Sequence, residues 1–108
     1  MEKIQLSKRL LEVAKYVPEN SITADIGSDH ALLPCYLIQQ KIAKKAIAGE
    51  INEGPYQTAK RQVEKCGLQH LISVRKGDGL SIIENDEPTC VVIAGMGGAL
   101  IRSILENG

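Results

Sequence analysis

Four short apolar runs, at 21–26, 46–50, 71–75 and 90–94, are separated by stretches of helical periodicity, and this alternation leaves few folds open to the chain. Strands that alternate with helices pair in parallel through right-handed crossovers. Strands apolar along their whole length are buried on both faces, so helices are expected above and below the sheet. The predicted order is helix, strand, helix, strand, helix, strand, short helix, strand, helix. Ser7 caps the first helix, Leu6 is placed to staple onto Leu11, and Pro18 ends it. Pro34 fits the first turn of a helix over 32–40, where backbone N–H groups have no intrahelical partner. Pro55 opens and Gly67 closes the next helix, with Tyr56, Ala59, Val63 and Cys66 as its buried stripe. The last helix is expected over 98–105, with Leu100, Ile101, Ile104 and Leu105 inward. The expected fold is a doubly wound α/β sheet.

One hundred and eight residues make one domain, 1–108, and 44% hydrophobic against 24% charged residues is the balance of an ordinary globule. No Trp, no Phe and 3% aromatics leave an aliphatic core and no platform on which bases could stack. Thirteen basic residues balance thirteen acidic ones, so any nucleic-acid contact has to be a local patch. Lys3, Lys8, Arg9 and Lys15 on the first helix are one such patch, or simply a solvated face. Cys35, Cys66 and Cys90 are odd in number and set among apolar neighbours, which reads as reduced core thiols. There is no signal-peptide core and no apolar run of membrane-spanning length, so no membrane contact is expected and a cytoplasmic location is.

Sheets of this kind bind ligands beyond the carboxyl ends of their strands. The first such loop reads Asp25-Ile26-Gly27-Ser28-Asp29-His30, which is not the G-x-G-x-x-G of a pyrophosphate loop and sets Asp29 where phosphates would be repelled. S-adenosylmethionine carries an ammonium and a sulfonium, which Asp25 and Asp29 would attract, while loop N–H groups and His30 receive its carboxylate. Asp29 is equally placed to cap the next helix. Glu50 ends the second strand where an acid accepts hydrogen bonds from ribose hydroxyls, and Gly77-Asp78-Gly79 lets backbone approach an adenine whose amine donates to Asp78. Ala94-Gly95-Met96-Gly97-Gly98 supplies a glycine-rich floor beneath the transferable methyl group and its acceptor. No Cys, His and carboxylate cluster has metal spacing, and no metal is expected. A plain turn, a solvated carboxylate and an unusual helix start are the bland alternatives for these three loops.

These runs, together with Leu33-Pro34-Cys35-Tyr36-Leu37 and Ala48-Gly49-Glu50-Ile51-Asn52-Glu53-Gly54-Pro55-Tyr56, closely resemble the bacterial tRNA (adenine-N1)-methyltransferases that modify adenine 22, the TrmK family. The resemblance implies a Rossmann-like class I methyltransferase fold, S-adenosylmethionine as cofactor and tRNA as acceptor. It places Gly27, Ser28, Asp29 and His30 at the methionine moiety, Glu50 with Ile51 at the ribose, Asp78 between Gly77 and Gly79 at the adenine, and Gly95, Met96 and Gly97 at the catalytic face. Asp29 is then the candidate catalytic carboxylate. Members of that family continue with further strands and a helical appendage, so the chain is expected to be the N-terminal, cofactor-binding portion of a longer enzyme. Its sheet would end on an open fourth strand, an edge that invites self-association. Two other functions fit the same loops: an NAD-type oxidoreductase domain and a non-catalytic nucleoside-binding module.

Overall fold

A computed structural model describes residues 3–83, 88–95 and 98–103, with backbone alone described at 29, 80, 81, 94, 95 and 98–103. Helix α1 (Lys8–Ala14) starts at Ser7, whose Oγ accepts from the Leu10 N–H at 3.3 Å. Leu6 packs against the core while Leu11 stays exposed, so the staple between them contributes little. Strands β1 (Ser21–Ile26), β2 (Ala43–Glu50), β3 (Ile72–Lys76) and β4 (Cys90–Gly95) alternate with α2 (Leu32–Gln39) and α3 (Glu53–Lys65). Short 3-10 turns occupy Asp29–Ala31 and Gly79–Ile82. Strand β2 begins three residues earlier than the apolar run, because Lys44 and Lys45 are exposed while Ala43 before them is buried.

With a fifth strand, β5 (Gly98–Ser103), the strand order is β3-β2-β1-β4-β5, with β3, β2, β1 and β4 parallel, so the chain reverses its progress across the sheet at β1. That order is the one expected of a Rossmann-like sheet, and it opens a crevice at the β1/β4 switch. Two expectations fail. The run predicted as a helix over 98–105 is strand β5 (Gly98–Ser103), antiparallel to β4 with Gly95 opposite Gly98. Six residues of mixed apolar and polar type do not distinguish the two periods, and the pairing with β4 decides between them. Strand β4 is consequently flanked by β1 and β5, so the expected open fourth-strand edge is paired, and the self-association argued from it loses its basis.

The second correction concerns the layers. Side chains alternate across a strand. Ala46, Ala48, Cys90 and Val92 join Ala14, Leu33, Leu37, Ala59 and Val63 in one cluster, which places all three helices on one face. Ala24, Ile47 and Val91 point the other way and meet Ile82 of the second 3-10 turn. Among the described residues no α-helix covers that face. The connections from β1 to β2 and from β2 to β3 carry α2 and α3; the described part of the one from β3 back to β4 carries the second 3-10 turn.

All three cysteines are buried in this packing. Burial pushes the Cys35 thiol up to about 12, reinforced by the neighbouring Cys66 thiol, and burial likewise raises Cys90. A thiol whose folded pKa is raised contributes its stability below the unfolded value of roughly 8.5 and loses it as pH climbs toward the folded value. Native protein is therefore expected to resist alkylation by iodoacetamide at neutral pH and to react at all three sites in denaturant. Rapid native labelling of Cys35 would contradict the packing of α2 on α3.

Candidate functional site

The carboxyl ends of β1, β2 and β3 are laced together by backbone. Gly27 and Ser28 both donate their N–H to the Gly49 carbonyl, at 3.0 and 3.1 Å, and the Gly77 N–H donates to the Glu50 carbonyl at 2.9 Å. Gly27 makes this turn with φ of 75°, a conformation open to glycine at no steric cost. The three strand ends thereby surround a cleft of about 200 Å³, lined by Ile26, Gly27, Gly49, Glu50, Ile51, Gly77, Asp78, Gly79 and Ile82.

Glu50 is the cleft's buried carboxylate, 8% exposed, with Ser28 Oγ donating to its Oε2 at 3.3 Å. Asp78 is exposed at the rim. Between the two acids the walls are glycine backbone and isoleucine side chains. A Cβ built at Gly49 would overlap Ile82 Cδ1, so the glycine is what admits Ile82 into the floor. An apolar slot with one buried and one exposed acceptor suits a flat heterocycle joined to a hydroxylated sugar. Its volume is below the roughly 300–1,000 Å³ of pockets that enclose a drug-sized ligand, so the slot matches a nucleoside rather than a whole dinucleotide. A larger groove of about 330 Å³ lies along β2 and β3 from their amino-terminal side, away from the carboxyl ends, and no carboxylate lines it.

Gly27, Glu50, Ile51, Gly77, Asp78 and Gly79 thus converge as expected, with Ser28 bonded to Glu50. Asp25 does not line the cleft: it is 5% exposed, one strand position before Ile26, which does. His30 is exposed and outside the lining. The Asp29 backbone lies in the 3-10 turn, and α2 starts from Ala31, which offers no side-chain cap. His30 and Ala31 both take left-handed backbone, φ 59° and 58°, a conformation that costs a non-glycine residue on the order of 1 kcal/mol or more. That strain sits between the first loop and α2. Ala94 and Gly95 end β4 beside β1; Met96 and Gly97 lie outside the described residues. The floor residue Ile82 is not among the residues expected from the sequence. Its signal there is indirect, a glycine at position 49 inside an otherwise apolar strand, which marks a close approach.

Among the described residues no His, Cys, Asp and Glu group is arranged to hold a metal, and no helix is long and apolar enough to cross a membrane. A family profile described as methyltransferase domain matches residues 6–108. A tRNA (adenine(22)-N(1))-methyltransferase of Bacillus subtilis is 58% identical over 108 residues, which is 100% of this chain and 45% of that protein. The crystal structure of the B. subtilis M1A22 tRNA methyltransferase TrmK superposes with a TM-score of 0.85 at 56% identity, over 88% of this chain and 41% of that one. A Streptococcus pneumoniae protein described as a putative tRNA (m1A22) methyltransferase, solved in complex with S-adenosyl-L-methionine, gives 0.82 at 48% identity over 86% and 44%. The chain spans less than half the length of these relatives.

Proposed function

The chain belongs to the methyltransferase-domain family, and from that premise we propose that its cleft binds S-adenosylmethionine for methyl transfer to N1 of adenine 22 in tRNA. The observation that carries the reading is the buried Glu50 carboxylate, turned toward Ser28 in a slot walled by glycine backbone and isoleucine. This donor and acceptor set fits an adenosyl group. Glu50 accepts from the ribose hydroxyls and Asp78 from the adenine amine, while Ile26 and Ile82 pack the ring. Gly27, Ser28, Asp29 and His30 stand toward the methionine end, with buried Asp25 just before them in β1. Ala94 and Gly95, followed by Met96 and Gly97, would border the acceptor base.

S-adenosylmethionine, when bound, supplies an electrophilic methyl group. Adenine N1 already holds the lone pair that attacks it, so the protein's work is alignment and support of the positive charge that moves onto the base. Asp29 is assigned that electrostatic role. Proton removal is not required at N1. The TrmK relatives support the tRNA assignment, and a tRNA substrate fits a cytoplasmic location.

Calorimetric titration with S-adenosylmethionine, S-adenosylhomocysteine and NAD is expected to show binding of the first two alone. Affinity for NAD without affinity for S-adenosylmethionine would replace the reading with the oxidoreductase one. Transfer of a labelled methyl group to tRNA, mapped to adenine 22, tests the activity. Cofactor binding without transfer would leave a nucleoside-binding module.

A further inference from the structure

The groove of about 330 Å³ along β2 and the edge strand β3 is apolar at its base like the cofactor cleft, but its charged lining has the opposite sign. Its base is apolar, formed by half-buried Ile22 and buried Ile47, and its charged lining is cationic, from Lys45 and Arg75, with His70 beside them. In a chain whose charges balance overall, a lining with two cations and no carboxylate is a local asymmetry. The basic residues of α1 offer a weaker case, since Lys15 is bonded to Glu12 at 2.8 Å.

We propose that this groove binds the sugar-phosphate backbone of the RNA substrate, with Lys45, His70 and Arg75 on phosphate and the isoleucines beneath a sugar or base. The inference rests on the tRNA reading above and extends it to a surface outside the methyl-transfer site. Phosphate contacts fix position and register without reading sequence, and long cationic side chains beside apolar surface suit them. Arg75 lines the groove while its Nη1 donates to the Ile82 carbonyl at 2.9 Å, and Ile82 floors the cofactor cleft. Arg75 and Ile82 thus connect the groove, which opens at the amino ends of the strands, to the cleft at their carboxyl ends. Arg75 is left intact in the test for that reason.

The test compares wild type with Lys45→Glu/His70→Glu, using fluorescence anisotropy of a labelled tRNA transcript and S-adenosylmethionine titration in parallel. The double variant is expected to bind tRNA about tenfold more weakly with cofactor affinity unchanged. The milder Lys45→Ala, at an exposed site, is expected to make the slope of log affinity against log salt shallower by roughly 0.7–0.9, one phosphate contact's worth. Wild-type tRNA affinity and salt slope in both variants would overturn the groove and leave the methyltransferase reading standing. No tRNA binding by wild type, with S-adenosylmethionine still bound, would remove the groove and the tRNA assignment together. A polyglutamate peptide bound by wild type and lost in the double variant, with tRNA affinity unmoved, would overturn the RNA inference in favour of an acidic protein segment.

Discussion

Glu50→Ala is expected to raise the dissociation constant for S-adenosylmethionine by roughly five- to 150-fold, the loss of about 1–3 kcal/mol that follows when a charged hydrogen-bond partner is removed. The geometry makes this substitution readable. Three backbone bonds tie β2 to its neighbours here, from Gly27 and Ser28 to the Gly49 carbonyl and from Gly77 to the Glu50 carbonyl, and these remain when the Glu50 side chain is removed. The cleft should therefore keep its shape when the carboxylate is gone. Ser28 Oγ loses an acceptor, a cost shared by the free and the bound protein. Glu50→Gln keeps an acceptor oxygen and the side-chain volume but not the charge, so it is expected to fall between wild type and Glu50→Ala. Wild-type cofactor affinity in Glu50→Ala, measured by calorimetry, would remove Glu50 from the site and with it the observation on which the adenosyl assignment rests.

Glu50 is legible in the sequence because of parallel topology. Once β1 and β2 are recognised as consecutive strands, their carboxyl ends must lie side by side, and residues just beyond them share a crevice whatever the loops do in detail. Gly27, Gly77, Asp78 and Gly79 are legible on the same ground. Strand β1 and helix α3 can be read because their periodicity and their Pro and Gly boundaries agree. The features that the sequence hides depend on contacts between residues far apart in the chain. Whether Gly98 to Ser103 coils or extends is decided by the β4 edge it pairs with, which local pattern does not contain. The burial of Asp25 depends on which face of β1 lies under the helices, and the apolar runs at the strands conceal that alternation. Ile82 reaches the cleft only because Gly49, thirty-three positions earlier, leaves the space.

Gly49 and Ile82 give the second large effect, and it is best measured as a pair. Gly49→Ala is expected to destabilise the fold by about 1 kcal/mol, the low end of the usual cost of forcing a methyl group into packed space because the displaced atom is the mobile end of a side chain, and to weaken cofactor binding, because that end must turn out of the floor. The overlapping atom is Ile82 Cδ1, whereas Cγ1 stands 3.5 Å from the added Cβ, at ordinary contact distance. Ile82→Val deletes that one methyl group and alone is expected to cost about 0.5–1.5 kcal/mol. In Gly49→Ala/Ile82→Val the alanine methyl occupies space the isoleucine has vacated, so the two losses should not add. The double variant is expected to be more stable than Gly49→Ala and to regain much of its affinity for S-adenosylmethionine. The Asp25 carbonyl, 3.6 Å from the same Cβ, leaves room for the methyl without moving β1. Strictly additive losses in denaturant melts would mean that Ile82 is not seated against Gly49, and that the floor of the cleft is built by some other residue.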